Sequence, residues 1–212
     1  MSTPAPIVII DYGLGNLGSI QNMFKKIGFT AIITADPHVI AQAGKLILPG
    51  VGAFDAGMRN LEQSGLLPVL NKRVLQDRTP VLGLCLGMQL LTGCSEEGVL
   101  PGLGWIEAQT VRFRFENENA RLRIPHMGWN TLQLCRPHPL FAGLEQDNRF
   151  YFVHSYHVVV RQASAALGMA TYGFPFVAAV ADGNIAGVQF HPEKSHRFGM
   201  RLFKNFAEWE YT

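Results

Sequence analysis

The sequence predicts a single α/β domain built on a mixed, mostly parallel sheet flanked by helices, with antiparallel strands in the C-terminal half. Three observations carry this. Short apolar strands alternate with amphipathic helices over the first 95 residues, closely spaced strand patterns follow, and 212 residues that are 48% hydrophobic suffice for one filled core. The whole chain, 1–212, is taken as one domain, since it shows neither a repeat nor a linker.

Ile7-Val-Ile-Ile10 reads as a buried strand ended by Asp11-Tyr12-Gly13. Leu17, Ile20, Phe24 and Ile27 then recur at the spacing of one helix face. Ala31–Thr34, Leu46–Leu48 and Val81–Leu84 are further buried strands, with helical patterns over 55–62 and 64–76 between the last two. Buried strands separated by helices imply parallel pairing with both sheet faces covered. Residues 105–115, 129–134, 149–153, 157–161 and 177–190 then read as successive strands, with Asp182-Gly183-Asn184 as a turn signal. Phe198, Leu202, Phe206 and Trp209 form the apolar stripe of a closing helix, with Ser195 as its expected N-cap.

Composition excludes several function classes. A net charge of +2 gives no electrostatic footprint for nucleic acid. No apolar run approaches the roughly 18 residues of a membrane span. The Met1–Pro6 segment has no basic residue before its apolar stretch and so does not read as a signal peptide. Three cysteines without CxxC spacing argue against a disulfide framework or a metal site and suggest a reducing, cytoplasmic setting.

Two motifs compete. Gly13-Leu-Gly-Asn-Leu-Gly18 is a literal GxGxxG, with Asp36 where a ribose-binding acid would sit, and suggests dinucleotide binding. Alone it is weak, and Asp11 would stand close to any pyrophosphate. Gly83-Leu-Cys85-Leu-Gly87 leaves a buried strand and enters a helical run, as a nucleophile elbow with Cys in the nucleophile position. Its glycines permit a sharp turn, and a helix N-terminus there favours the thiolate. Cys94 and Cys135 lack a nearby His–acid pair and read as inert.

A cysteine nucleophile needs a base. Gly187-Val-Gln-Phe-His191-Pro-Glu193 ends an apolar strand in His and Glu two residues apart, hence on one face. His154 and His157, three apart on strands, are expected on opposite faces, against shared metal ligation. His38, His126, His138 and His196 are expected in loops or near caps.

Gly83–Gly87 with Gln89, followed by His191-Pro-Glu193, resembles the class I (triad) glutamine amidotransferases, whose fold is flavodoxin-like. Asp11–Asn16, Pro49-Gly-Val-Gly52, Pro125–Asn130 and Tyr151–Tyr156 narrow the resemblance to the glutaminase subunits of imidazole glycerol phosphate synthase, nearly along the whole chain. The resemblance implies that Cys85 attacks the glutamine amide, that His191 moves the protons and that Glu193 orients His191. It places glutamine against Gly50, Val51, Gly52, Leu86, Gln89, Ser155 and Tyr156, and a partner interface at Asn16, Trp129, Tyr151 and Lys194. It turns Gly13–Gly18 into a partner-facing turn. It further implies no metal or organic cofactor, and a heterodimer whose other partner is a (β/α)8-barrel cyclase subunit. That partner would receive the ammonia through a protected channel, in histidine biosynthesis. The Gly50–Val51 peptide of such relatives can point its carbonyl, rather than its N–H, at the oxyanion position. An α/β cysteine hydrolase of another substrate also fits the elbow, though hydrolases of that fold place the acid before the His. A dinucleotide-binding module is the third alternative.

Overall fold

Ile7–Ile10 (β1) sends Ile7 and Ile9 into one apolar core and Val8 and Ile10 into another, as a strand buried on both faces must. A computed structural model describes residues 5–116, 121–146 and 148–211 of the chain. The Met1–Pro6 segment therefore begins outside the described residues.

Ala31–Thr34 (β2), Lys45–Leu48 (β3), Val81–Leu84 (β4) and Ile185–Val188 (β12) join β1 in a parallel block of order β2-β1-β3-β4-β12. The sheet continues antiparallel through Phe174–Asp182 (β11), Ala166–Tyr172 (β10) and Gln133–Leu134 (β7). Tyr156–Val160 (β9) pairs with β11 and with Ala108–Arg112 (β5). A separate antiparallel ribbon joins His126–Asn130 (β6) to Phe150–His154 (β8).

One core packs Ile9, Ile47, Leu82 and Leu84 with Phe24 of Leu17–Lys26 (α1) and with Phe203 and Phe206 of His196–Glu208 (α6). The other packs Val8, Leu46 and Leu48 with Phe54 and Leu61 of Phe54–Gln63 (α3), Leu70 of Leu67–Asn71 (α4), and Leu86 and Leu90 of Leu86–Leu90 (α5). A short helix, Pro37–Ile40 (α2), is capped by Asp36, which accepts from the His38 N–H at 2.8 Å.

Several expectations need correction. The 64–76 pattern is not one helix, because Gly65 takes a positive φ of 69° before α4, which then loosens into a π turn over Lys72–Gln76. The 177–190 pattern is two strands, β11 and β12, folded back at Asp182–Asn184. β10 is rich in small residues and gave no strand signal. Its Gly168 leaves the space that the Leu132 side chain fills, since a Cβ there would lie 2.9 Å from it. Ser195 stands at the N-cap of α6 but makes no side-chain cap bond, its hydroxyl being used elsewhere.

Candidate active site

Cys85 sits between β4 and α5 with φ 52° and ψ −110°, a left-handed conformation that a non-glycine residue adopts only when its surroundings impose it. The Cys85 N–H extends the β4–β12 pairing by donating to Val188 O at 2.8 Å. The next helix must then turn back over the strand at once. A Cβ on Gly87 would lie 1.9 Å from Leu48 O, and one on Gly83 would lie 2.8 Å from the Gly87 backbone. Both elbow glycines are thus required by close approach.

His191 and Glu193 meet as expected, by a different route. The strand ends before His191, and Glu193 lies in a 3-10 turn over Pro192–Lys194 that folds its carboxylate back on the imidazole. Glu193 Oε1 is 2.8 Å from His191 Nδ1, with both side chains buried. Burial alone would lower the His191 pKa. Hydrogen bonds to Cys85 and Glu193, and their negative charge, overcome it and push the value up to about 10. His191 is therefore an imidazolium at neutral pH, with a proton to give. The Ser195 hydroxyl donates to His191 O at 2.6 Å and accepts from Tyr151 N–H at 3.0 Å, fastening the turn to β8.

The triad opens on a cavity of about 410 Å³ lined by Val51, Gly52, Cys85, Leu86, Gln89, Ser155, Tyr156 and His191. Gly50 lies beneath it, where a Cβ would lie 2.8 Å from Gly87 N and from Leu86 Cβ. The Tyr12 hydroxyl anchors the same segment by donating to Pro49 O at 2.6 Å. Burial first, and then the charge of Cys85, raise the pKa of that phenol. Gln89 Nε2 donates to Tyr156 O at 3.2 Å and to Gln189 Oε1 at 3.0 Å, while Gln189 Nε2 faces Cys85 Sγ at 3.8 Å.

Of the four residues expected at an interface, Trp129, Tyr151 and Lys194 come together. The indole meets the Tyr151 ring edge-on at 6.1 Å, and Lys194 Nζ lies 5.8 Å from that ring's centroid. Asn16 is exposed at the start of α1, a helix that lies against the turn carrying Lys194.

The dinucleotide reading loses its acid, because Asp36 caps α2. The Gly13–Gly18 turn instead packs on the Pro49 segment, where a Cβ on Gly15 would meet Pro49 Cβ at 2.9 Å. His154 and His157 are not on opposite faces. The strand breaks at Ser155, so the period of two fails, and both rings pack on Phe113 at 5.3 and 4.7 Å. His126 is not in a loop but buried in β6. Four residues of the cavity lining were not among the site residues to which the sequence pointed: Glu97, Pro125, Val153 and His154. Glu97 also caps α3, accepting from Phe54 N–H at 2.9 Å. Gln189, just behind the cavity, was visible only as part of the strand leading to His191. Among the described residues no group of three His, Cys, Asp or Glu side chains could hold a metal ion, and no helix is long and apolar enough to cross a membrane.

Known proteins resemble the chain along nearly its full length. The family model described as glutamine amidotransferase class-I matches residues 8–209. The chain is 56% identical over 202 residues to imidazole glycerol phosphate synthase subunit HisH 2 of Methanococcus maripaludis, covering 95% of this chain and 98% of that one. It is 52% identical, at the same coverage, to the Pseudomonas aeruginosa protein of that name. Among solved structures, a glutamine amidotransferase superposes with TM-score 0.69 at 23% identity, covering 95% of this chain and 97% of that one. Another glutamine amidotransferase, from Thermotoga maritima, gives TM-score 0.63 at 15% identity, covering 98% of this chain and 84% of that one. With an elbow cysteine, its His–Glu pair and this match along nearly its full length, the chain belongs to the class-I glutamine amidotransferases.

Proposed function

We propose that the chain is the glutaminase subunit of an imidazole glycerol phosphate synthase, folded over 1–212 as one amidotransferase domain. The observation that carries this is Cys85 at the elbow, sharing one cavity with a His191 that Glu193 holds and with Gln89 and Tyr156.

Cys85 Sγ attacks the side-chain carbonyl carbon of glutamine. The Val51 and Leu86 N–H groups would receive the developing oxyanion. The C–N bond breaks as His191 gives its proton to the leaving amine, releasing ammonia and leaving a γ-glutamyl thioester. His191, now neutral, takes a proton from water, whose oxygen displaces Cys85 and yields glutamate. Glu193 keeps the imidazole oriented through Nδ1, so the other ring nitrogen serves Cys85 and water. The amide hydrogens of Gln89 are both committed, which leaves its Oε1 to accept from the substrate.

The ammonia passes to a (β/α)8-barrel cyclase subunit docked over Asn16, Trp129, Tyr151 and Lys194, in the cytoplasm. There it enters imidazole glycerol phosphate and an aminoimidazole carboxamide ribotide is released. The test is Cys85→Ala in the complex with the cyclase. Glutamine-dependent synthesis should vanish and ammonia-dependent synthesis should persist. Loss of both in a folded complex would overturn the assignment.

A further inference from the structure

Two buried histidines outside the triad, His126 and His154, stand directly opposite each other in the β6–β8 ribbon. Their ring nitrogens meet at 3.0 Å, His126 Nδ1 against His154 Nε2. His154 Nδ1 lies 2.8 Å from Tyr156 O, and a carbonyl only accepts, so His154 carries its proton on Nδ1. Burial keeps both rings neutral at physiological pH. Neutral His154 therefore has a bare Nε2, and His126 must donate to it from Nδ1. His126 Nε2 is then bare as well.

The other end requires the same direction independently. Asn130 Nδ2 donates to Thr171 O at 2.8 Å, and Asn130 Oδ1 accepts from Thr131 N–H at 2.8 Å, which fixes the amide orientation. The remaining Nδ2 hydrogen faces His126 Nε2 at 3.3 Å. Every donor thus meets an acceptor along one path: Asn130 to His126, His126 to His154, His154 to the Tyr156 carbonyl.

Tyr156 O is also the acceptor for Gln89 Nε2. It is one of the two acceptors, with Gln189 Oε1, that orient the Gln89 amide and leave Oε1 for a ligand. We propose that Asn130, His126 and His154 are positioning residues that hold the Tyr156 carbonyl, and through it Gln89, in the geometry that binds glutamine. This rests on the glutaminase reading above. His126 is the diagnostic member, because it reaches neither the cavity lining nor Gln89, and acts only through His154.

The experiment compares His126→Leu with His126→Asn in the complex with the cyclase. Asparagine can place an amide N–H where Nδ1–H stands, whereas leucine cannot. Losing one net hydrogen bond in the relay should raise KM for glutamine about two- to tenfold in His126→Leu, with kcat changed less. His126→Asn should return KM close to that of the unsubstituted protein. Equal KM for both variants and the unsubstituted complex, in folded protein, would overturn the proposal.

If His126→Leu does not fold, long-range 1H–15N NMR correlations of the unsubstituted protein decide. Both imidazoles should be protonated at Nδ1 and bare at Nε2. A proton on Nε2 of either ring would overturn the relay. A complex of the unsubstituted chain that releases no glutamate is a different failure, since it removes the glutaminase reading itself.

Discussion

At Cys85 the backbone and the chemistry are in tension. A φ of 52° is a glycine conformation, and a non-glycine residue held there stores on the order of 1–3 kcal/mol. The strain lifts the side chain off the strand and turns Sγ toward His191. Two variants that both lack sulfur separate strain from chemistry. Cys85→Gly should unfold at higher temperature than Cys85→Ala, by roughly 1 kcal/mol after the larger unfolded-state entropy of glycine is deducted. Both should be inactive with glutamine. Thermal unfolding checks this, and an alanine variant at least as stable as the glycine one would show the elbow to be relaxed.

Among the elements, α5 matters most, since it must begin immediately over β4. The Gly87 position touches Leu48 O so closely that any side chain pushes the helix off the sheet. Gly87→Ala is expected to destabilise the fold by at least about 1–3 kcal/mol. It should also reduce glutamine turnover out of proportion, because Leu86 and Cys85 move with the helix start. Denaturant unfolding and glutamate release measured on the same sample test the two effects. The Pro49–Gly52 segment is the second such element. Tyr12 holds Pro49, Gly50 packs on α5, and Gly52 takes a positive φ of 101°, while Val51 between them is 39% exposed. On the glutaminase reading, the Val51 N–H of the Gly50–Val51 peptide is one of the two oxyanion donors. A missing donor of this kind costs about 2.7–4 kcal/mol, or roughly a hundred- to thousandfold in rate.

For the whole molecule this predicts dependence on the partner. The isolated chain should release glutamate slowly, and the complex with cyclase ligand bound should be faster by about two orders of magnitude. Equal rates would show that the oxyanion donor is already in place without the partner. Stability should depend on pH in two directions. His126 and His154, held neutral by burial, have pKa values lowered to about 4 and about 3 from the ordinary 6.5. The unfolded chain takes up protons below pH 6.5 that the native chain refuses, so stability falls as pH drops from about 6.5 toward 3. His191, raised to about 10, acts oppositely. Its contribution is complete below pH 6.5 and is lost as pH rises through 10. From these groups, stability should peak near pH 6.5. Denaturant midpoints that stay level from pH 7 to pH 4 would contradict the acid limb.

The amino-acid sequence by itself determined what is local. Ile7–Ile10 and Val81–Leu84 are strands because an unbroken apolar tetrad has nowhere to go but between two covered faces. The elbow was legible because Gly-x-Cys-x-Gly after such a strand permits one sharp turn. His191 and Glu193 were legible because two residues are enough to bring a carboxylate to an imidazole. Tertiary structure alone decided what depends on a distant partner. β10 has too little side-chain signal and exists because β11 and β7 pair with it. Ser195, an N-cap by its sequence position, spends its hydroxyl on His191 O because β8 passes beside the turn. His126 resembles any polar residue in a loop until the ribbon sets it opposite His154, 28 residues away. A hydrogen bond between two residues far apart leaves no period in the sequence, so only the folded chain reveals it.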